Sequence, residues 1–319
     1  MSDIRKTIKD FKPSLKESTL KQYQSQLNKL FKLLDTSDLS KLREVKFVLN
    51  KIKDLNYLTQ RNYINSLIIY LRAKINLKDG DTKDAFMSSA PKYIRDYVDK
   101  RNSLNDQYTK QQSTGKISEK QAPNFVSVAE VRKMIKRMMD DYKKTDNIKT
   151  LMWATNYQIL LKHPFRNDLA GMIVIGKREY NKLKKEGKLL KKNYLTIDGS
   201  GMFFVLRDYK TFDKYGEKMI PVDKSVKTAI RKYMKAADIK KGDVLFPVSK
   251  SSYSQLLIAE SLKYAGKRIG TTMIRHIVLS DKHGEAKKVM DADSYQMGHS
   301  VATAQGIYVK DPADFKKID

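Results

Sequence analysis

Five side chains in the second half of the sequence have the chemistry needed to cut a phosphodiester bond. In chain order they are Arg166, Lys210, Arg275, His299 and Tyr308. Cutting a DNA strand without a metal ion requires a nucleophile, cations that neutralise the pentavalent phosphorane, and an acid for the leaving 5′ oxygen. The tyrosine supplies a nucleophile, the arginines supply cations, and the lysine supplies an acid. The order and spacing of these residues therefore fit an enzyme that cuts phosphodiester bonds with a tyrosine.

The last part of this pattern carries a family resemblance. Met297, Gly298, His299 and Ser300 form an apolar-Gly-His-Ser turn, and Tyr308 follows the histidine by nine positions. This arrangement resembles the tyrosine recombinase and integrase family. The resemblance implies that the tyrosine attacks the phosphate to give a 3′-phosphotyrosyl link and a free 5′ hydroxyl. It also implies that the histidine bonds a phosphate oxygen or the tyrosine, whereas the alternative is a helix-capping histidine without chemistry.

Two arginines stand in segments that resemble the two arginine boxes of that family. Arg166 ends an apolar helical pattern and is followed by Asp168, two positions on rather than the family's more usual three. Arg275 lies in the second box. Each guanidinium can fork onto two phosphate oxygens, which a lysine cannot do. With 64 Lys and Arg in the chain, either arginine alone would be an ordinary surface residue, and the flanking motifs favour the role in phosphate binding.

Lys210 lies in Asp208-Tyr-Lys-Thr211, before Gly216 and a short apolar run. This segment resembles the hairpin whose lysine the family uses as the general acid toward the 5′ oxygen. Most lysines are solvated surface charges, and Lys214 in the same turn is a competing assignment.

The second box departs from the family pattern at one position. Where the family usually has a histidine three residues before the arginine, this chain has Thr272. A threonine hydroxyl can hydrogen-bond a phosphate but cannot act as a base near neutral pH. If the stretch is helical, His276 lies one turn along on the same face and could partly replace the missing imidazole.

The charge of the chain indicates a polyanionic partner. The net charge is +28 with a pI near 9.8, and residues 1–110 contribute +10 while the remainder contributes +18. Such a field usually meets the phosphate backbone of nucleic acid, and two basic halves suit a clamp on double-stranded DNA. A ribosomal or histone-like binder is the alternative, but its basic residues usually sit in disordered tails, whereas here they alternate with apolar residues.

Other features of the sequence exclude several classes of site. The chain has no cysteine, which excludes disulfides, thiolate zinc sites and a thiol nucleophile, and agrees with a reducing compartment. No signal-peptide pattern and no apolar run of roughly 20 residues occurs, and no zinc helix or phosphate loop is found. We therefore expect an intracellular protein located with the DNA, with no metal, no cofactor and no membrane partner.

Periodicity predicts a mainly α protein with a small antiparallel β-sheet. Residues 1–110 read as all-α, with one helix from Ser18 and a central helix from about Thr59. The stretch from Gln107 to Asn124 is polar and irregular, so residues 111–125 are assigned to a linker. Residues 126–319 open with the capping box of Ser127 and Glu130 and contain three β-type runs within 194–222.

These expectations combine into one interpretation. By resemblance, residues 1–110 are a helical core-binding domain and residues 126–319 a catalytic domain that breaks and rejoins DNA, together a site-specific recombinase or integrase, possibly of a virus or mobile element. A homotetramer on DNA, assembled from monomers, is expected on the same ground. The alternatives are a type IB topoisomerase and a non-catalytic DNA-binding relative; the target sequence, the host and the direction of the reaction stay open.

Overall fold

The computed structural model describes residues 4–78, 83–113, 115, 117–119, 121–199, 201–298 and 301. The chain divides into two compact units, Met1–Lys116 and Ile117–Asp319. In its described part the protein is mainly helical with one small sheet, which confirms the fold class. No helix in these ranges is both long enough and apolar enough to cross a bilayer.

The described part of the first unit consists of helices. Their bounds are α1 Ile4–Phe11, α2 Glu17–Leu34, α3 Leu39–Arg43, α4 Val45–Ile52, α5 Tyr57–Lys74, α6 Lys83–Ser89 and α7 Lys92–Ser113. Helix α5 packs against α1, α2 and α7, and its residues 66–72 are all buried. A helix that is apolar all round belongs at the centre of a bundle, so the prediction of a central helix is confirmed.

Helix α7 corrects one sequence expectation. It continues through Gln107 to Ser113, into the stretch that composition predicts to be irregular. The reason is tertiary contact, because the Arg61 guanidinium lies 5.0 Å from the centre of the Tyr108 ring and the Tyr57 hydroxyl donates to Gln111. Arg61 and Tyr57 both lie on α5. Such tertiary contacts stabilise a polar helix end that helix propensity alone does not stabilise.

The second unit is built around one buried helix. Its helices are α8 Val128–Thr145, α9 Ile148–Lys162, α10 Lys177–Lys185, α11 Phe212–Tyr215, α12 Lys224–Ala236, α13 Lys250–Ala265 and α14 Thr271–Gln296. Helix α9 is buried on nearly every face and packs against α8, α12 and α14. The capping box at the start of α8 is present as predicted, since Ser127 accepts from the Glu130 amide and Glu130 accepts from the Ser127 amide.

A four-stranded sheet lies in the second unit, in the order β1 Ile173–Gly176, β2 Tyr194–Asp198, β3 Gly201–Leu206 and β4 Lys218–Pro221. The pairs β2–β3 and β3–β4 are antiparallel, with Thr196 opposite Phe203 and Phe204 opposite Ile220. These strands match the three predicted runs. Strand β1 was not predicted and pairs parallel with β2, so the chain needs a crossover between them, and α10 lies in that crossover.

Candidate active site

The end of α9 determines where Arg166 is placed. Beyond Lys162 the chain turns through His163 and Phe165, whose rings stack with centres 5.8 Å apart. Both rings meet the edge of Phe204, from β3, at 5.3 Å. Burial lowers the pKa of His163, so the imidazole is neutral near pH 7 and serves the packing. The turn is thereby fixed, and Arg166 is the first exposed residue beyond it.

A short 3₁₀ turn, Asn167–Leu169, links Arg166 to two helices. The Arg166 amide donates to Asp168 Oδ2 at 3.2 Å. Asn167 Nδ2 donates to the carbonyl of Lys250, the first residue of α13, at 2.9 Å. Thr271 Oγ1, at the start of α14, donates to Asn167 Oδ1 at 3.0 Å. These bonds join the first arginine box to the helix that carries the second.

Arg275 lies close enough to Arg166 for the two guanidiniums to repel each other. Burial lowers the pKa of the half-buried Arg275, the charge of Arg166 lowers it further, and Asp168 opposes the shift. A guanidinium is effectively always protonated in proteins, so Arg275 keeps its charge despite this shift. Burial also raises the pKa of Asp168, against the attraction of Lys250 and Arg166. Arg166, Asp168 and Arg275 form what is here called the arginine cluster, in which the charge of each arginine interacts with that of Asp168. Two cations and one carboxylate leave a net positive charge, which favours an added anion such as phosphate.

Asn193 ties the arginine cluster to the hairpin that carries Lys210. The residue is only 3% exposed, and its Nδ2 donates to the carbonyls of Asp168 at 2.8 Å and Asp208 at 3.0 Å. Its Oδ1 accepts from the amides of Arg207 at 2.9 Å and Asp208 at 2.8 Å. The whole hydrogen-bonding capacity of the amide is used. One buried residue therefore fixes the 3₁₀ turn and the start of the hairpin together.

Lys250 holds the same hairpin from the other side. Its Nζ donates to the carbonyl of Asp208 at 2.6 Å and pairs with Asp208 Oδ2 at 2.6 Å. The positive charge of Lys250 also acts to lower the pKa of Asp168, against the effect of burial. The backbone two residues before Lys210 is thus held by both Asn193 and Lys250.

Lys210 itself is exposed in the turn between β3 and α11. No hydrogen bond or ion pair joins its ammonium group to another residue that the structure describes. The neighbouring Tyr209 anchors the turn, since its hydroxyl donates to the Gly216 carbonyl at 2.7 Å. The competing lysine, Lys214, lies in α11 with its ammonium 5.1 Å from the centre of the Tyr215 ring. Of the two, Lys210 is nearer in sequence to the anchored Asp208, and within the described ranges no aromatic ring lies against its ammonium group.

Thr272 and His276 lie where the sequence places them, one turn apart on the same face of α14. Both are exposed, while Arg275 between them is half-buried. Thr272 stands on the first turn of the helix, three residues before Arg275. An imidazole at position 276 is therefore on the same helix surface as the threonine that departs from the family pattern.

His299 and Tyr308 lie outside the described residues. The structure does describe the helix end before them: the Gly298 amide donates to the Tyr295 carbonyl at 3.2 Å, and Gly298 has φ +69°. This left-handed conformation suits glycine and commonly ends a helix. Helix α14 therefore ends at Gln296, just before Gly298, and the predicted turn at His299 lies outside the described residues.

Sequence reasoning missed Asn167, Asn193 and Lys250. Asn193 stands in Lys191-Lys-Asn-Tyr194, and Lys250 in a run of serines. Nothing in either local pattern distinguishes them from surface residues. Of the three, Asn167 alone could have been suspected from the sequence, because it stands between Arg166 and Asp168 in the segment that resembles the first arginine box. Among the residues described, no cluster of His, Asp and Glu could hold a metal ion.

Comparisons with known proteins add little to this geometry. No protein-family model matches the chain, and no curated protein matches it. Among solved structures, the crystal structure of XerA recombinase aligns with 99% of this chain and 96% of its own, at 12% identity and a TM-score of 0.34. At that TM-score the likeness is too distant to carry an argument.

Proposed function

We propose that this protein is a site-specific DNA recombinase or integrase that cuts and rejoins double-stranded DNA through a 3′-phosphotyrosine intermediate. The observation that carries the proposal is the arginine cluster. Arg166 and Arg275 come from motifs far apart in sequence, yet their charges act on each other in the folded unit. The hairpin bearing Lys210 is bonded to the same 3₁₀ turn through Asn193.

In the proposed reaction, the two guanidiniums hold the non-bridging oxygens of the scissile phosphate and neutralise the charge that grows in the transition state. The hydroxyl oxygen of Tyr308 bonds to phosphorus, and its proton leaves to a base or to water. The bond from phosphorus to the 5′ oxygen breaks, and Lys210 donates a proton to that oxygen. The phosphodiester energy is kept in the tyrosyl link, so the reverse attack by a 5′ hydroxyl rejoins DNA without ATP.

The proposal assigns His299 to a phosphate oxygen or to the tyrosine, and Thr272 and His276 to auxiliary roles. Thr272 can donate a hydrogen bond to the phosphate but cannot take the tyrosine proton at neutral pH. His276 lies on the same exposed face of α14 and can supply an imidazole there. An unchanged cleavage rate in His276→Ala would remove His276 from this mechanism.

The partner in the proposal is duplex DNA, bound by both basic units, and the active assembly is a homotetramer that holds two sites in a synapse. No cofactor enters the reaction. The cellular place is wherever the DNA substrate resides. Binding should weaken steeply with salt, because each neutralised phosphate releases counterion.

The test is covalent trapping on a library of nicked duplexes of random sequence, with EDTA present. A nick beside the cut lets the short 5′-hydroxyl fragment diffuse away, so the adduct accumulates and survives a denaturing gel. Wild type should form the adduct and Tyr308→Phe should not. Tyr295→Phe is the matched control, because Tyr295 is 88% exposed near the end of α14 and should not affect the yield.

The other outcomes separate the remaining functions. An adduct accompanied by supercoil relaxation, but no exchange between two duplexes, would point to a type IB topoisomerase. Tight binding with no adduct from either protein would identify a DNA-binding relative without activity. Adducts equally abundant in wild type and Tyr308→Phe would contradict the assigned nucleophile.

A further inference from the structure

The segment 177–192, here called the basic α10 segment, is the inserted crossover between β1 and β2. It contains eight basic and two acidic residues, and the candidate active site uses none of them. Seven of the eight basic side chains are exposed, namely Arg178, Lys182, Lys184, Lys185, Lys188, Lys191 and Lys192.

The segment is firmly attached to the sheet and to the hairpin of Lys210. Tyr180 is fully buried, and its ring meets Tyr194 of β2 edge-on at 5.4 Å. Its hydroxyl donates to Glu217 Oε2 at 2.8 Å, and Lys184 Nζ donates to Glu217 Oε1 at 2.7 Å. Glu217 stands at the base of the hairpin, directly before β4. Helix α10 is therefore held beside the hairpin whose turn carries Lys210.

Most of the exposed charge on the segment has no acidic partner within the described part of the chain. Only two of the seven exposed basic residues form ion pairs, Lys184 with Glu217 and Lys188 with Glu186. Arg178 and Lys182 are four residues apart, and Lys182 and Lys185 three apart, so like charges face each other on the helix. Such pairs of like charges destabilise a helix. Burial of Tyr180 offsets that repulsion, and a bound polyanion would remove it.

The N-terminal end of α10 also borders an open cavity of about 600 Å³. Arg178, Asn181 and Lys241 line it, together with Asp198, which is paired with Lys177 at 3.2 Å. Lys177 neutralises the Asp198 carboxylate, so the remaining charge of the cavity lining is positive. The cavity is large enough for a phosphodiester group and extends the positive surface beyond the helix.

We propose that the basic α10 segment binds the backbone of the duplex next to the phosphate held by the arginine cluster; this rests on the proposed function. A helix of nine residues is roughly 13 Å long. Duplex DNA presents a phosphate on each strand every ~3.4 Å of its axis, so α10 spans about four base pairs. Because the hairpin and α10 share Glu217, a duplex seated on Lys210 continues over the exposed face of α10. The contacts are to phosphates and position the duplex without reading its sequence.

The test compares two triple variants that remove the same charge. The α10 variant is Lys182→Gln, Lys185→Gln and Lys191→Gln. The control is Lys143→Gln, Lys144→Gln and Lys149→Gln, at the junction of α8 and α9. All six side chains are exposed. Helix α9 has 15 residues and is roughly 22 Å long, so the control charges lie that far from the Arg166 end.

Dissociation constants are measured between 50 and 200 mM salt on duplexes of increasing length. The α10 variant should flatten the plot of log K against log salt by about 0.9 for each lost contact, or roughly 2.7 in all. This loss should appear only above a threshold duplex length, and above that length it should be larger than the loss in the control. Equal changes in both variants, or an effect independent of duplex length, would overturn the proposal.

Two further measurements separate this inference from the proposed function. Binding to single-stranded RNA and to anionic lipid vesicles is measured for the same proteins, and a larger loss there than on duplex DNA would reject the duplex as the partner. The covalent adduct is scored separately with Tyr308→Phe. A length-dependent loss of DNA binding in the α10 variant, with no adduct from wild type, would support DNA binding by the basic α10 segment and contradict the cleavage proposal. An adduct from wild type, with DNA binding unchanged in the α10 variant, would support the cleavage proposal and contradict DNA binding by the basic α10 segment.

Discussion

The two parts of helix α14 differ sharply in their surroundings. In the first part, residues 271–278, four residues are buried, namely Thr271, Ile274, Ile277 and Val278. The last three belong to the hydrophobic core of the second unit. In the second part, residues 279–296, Ser294 alone is buried. Arg275, which completes the arginine cluster, lies on the packed part. The stretch leading to His299 and Tyr308 follows the exposed part.

This difference assigns separate physical tasks to the two parts. Charge stabilisation of a transition state depends on cations that are already in place, because moving them during the reaction costs reorganisation energy. The packed part of α14, the 3₁₀ turn and Asn193 provide such fixed positions. Few contacts from the core hold residues 279–296, so that part is the one expected to open locally at low free-energy cost. The comparison predicts that mutations on the two parts differ in kind.

The largest effect is expected at Arg275 on the packed part. In the proposed reaction Arg275→Ala removes one of the two guanidiniums assigned to the phosphate, and loss of one such donor typically costs about 10²–10³-fold in rate. The measurement is the rate of covalent adduct formation on a nicked duplex. Arg268→Ala is the control, because Arg268 is exposed just before α14, and it should leave the rate within a few fold. Equal losses in both variants would mean that bulk charge, and not the cluster, drives cleavage.

Asn193→Asp tests whether the Lys210 hairpin must be fixed to the arginine cluster. The variant keeps the two acceptor bonds from the amides of Arg207 and Asp208 but loses both donor bonds. We expect the rate of adduct formation to fall by about 10–100-fold, because the two lost hydrogen bonds no longer hold the hairpin of Lys210 in position.

The leaving group distinguishes this role from general damage to the fold. On a substrate with sulfur in place of the 5′ oxygen, the thiolate leaves without a proton donor, so an acid held in the wrong place matters less. Asn193→Asp should regain most of its rate on that substrate, whereas Arg275→Ala should not. If neither variant is rescued, Asn193 does not act through Lys210.

The sequence predicted most of what periodicity and local chemistry determine. The central helix α5, the capping box of α8 and the two antiparallel strand pairs were all predicted correctly. Strand β1 was not, because four apolar residues do not distinguish a strand from a helix segment. The role of Asn193 had no local signal, since an asparagine's hydrogen bonds depend on which carbonyls the fold brings to it. The proximity of Arg166 and Arg275 likewise needs the tertiary structure, while the motifs only indicate that both should bind one phosphate.

The smallest effect is expected from a glycine on the exposed part of α14. A Cβ added at Gly284 meets nothing within 4 Å, so Gly284→Ala gains only helix propensity, up to about 1 kcal/mol. The gain should slow amide hydrogen exchange in residues 279–296 about fivefold. Global stability should barely change, because this part is not packed into the core.

Gly270, directly before the packed part, is the matched counterpart. A Cβ at Gly270 would lie 2.9 Å from Ser254 Oγ and 3.1 Å from Ile258 Cγ1, so α13 and α14 would have to separate slightly. Gly270→Ala should lower the free energy of global unfolding by about 1–3 kcal/mol, the usual cost of overpacking, as measured by urea denaturation. The opposite pattern, global stabilisation by Gly284→Ala and no change in Gly270→Ala, would mean that the core holds α14 along its whole length. In that case the arginine cluster and residues 279–296 would form a single rigid part, and the contrast between the two parts of α14 would not hold.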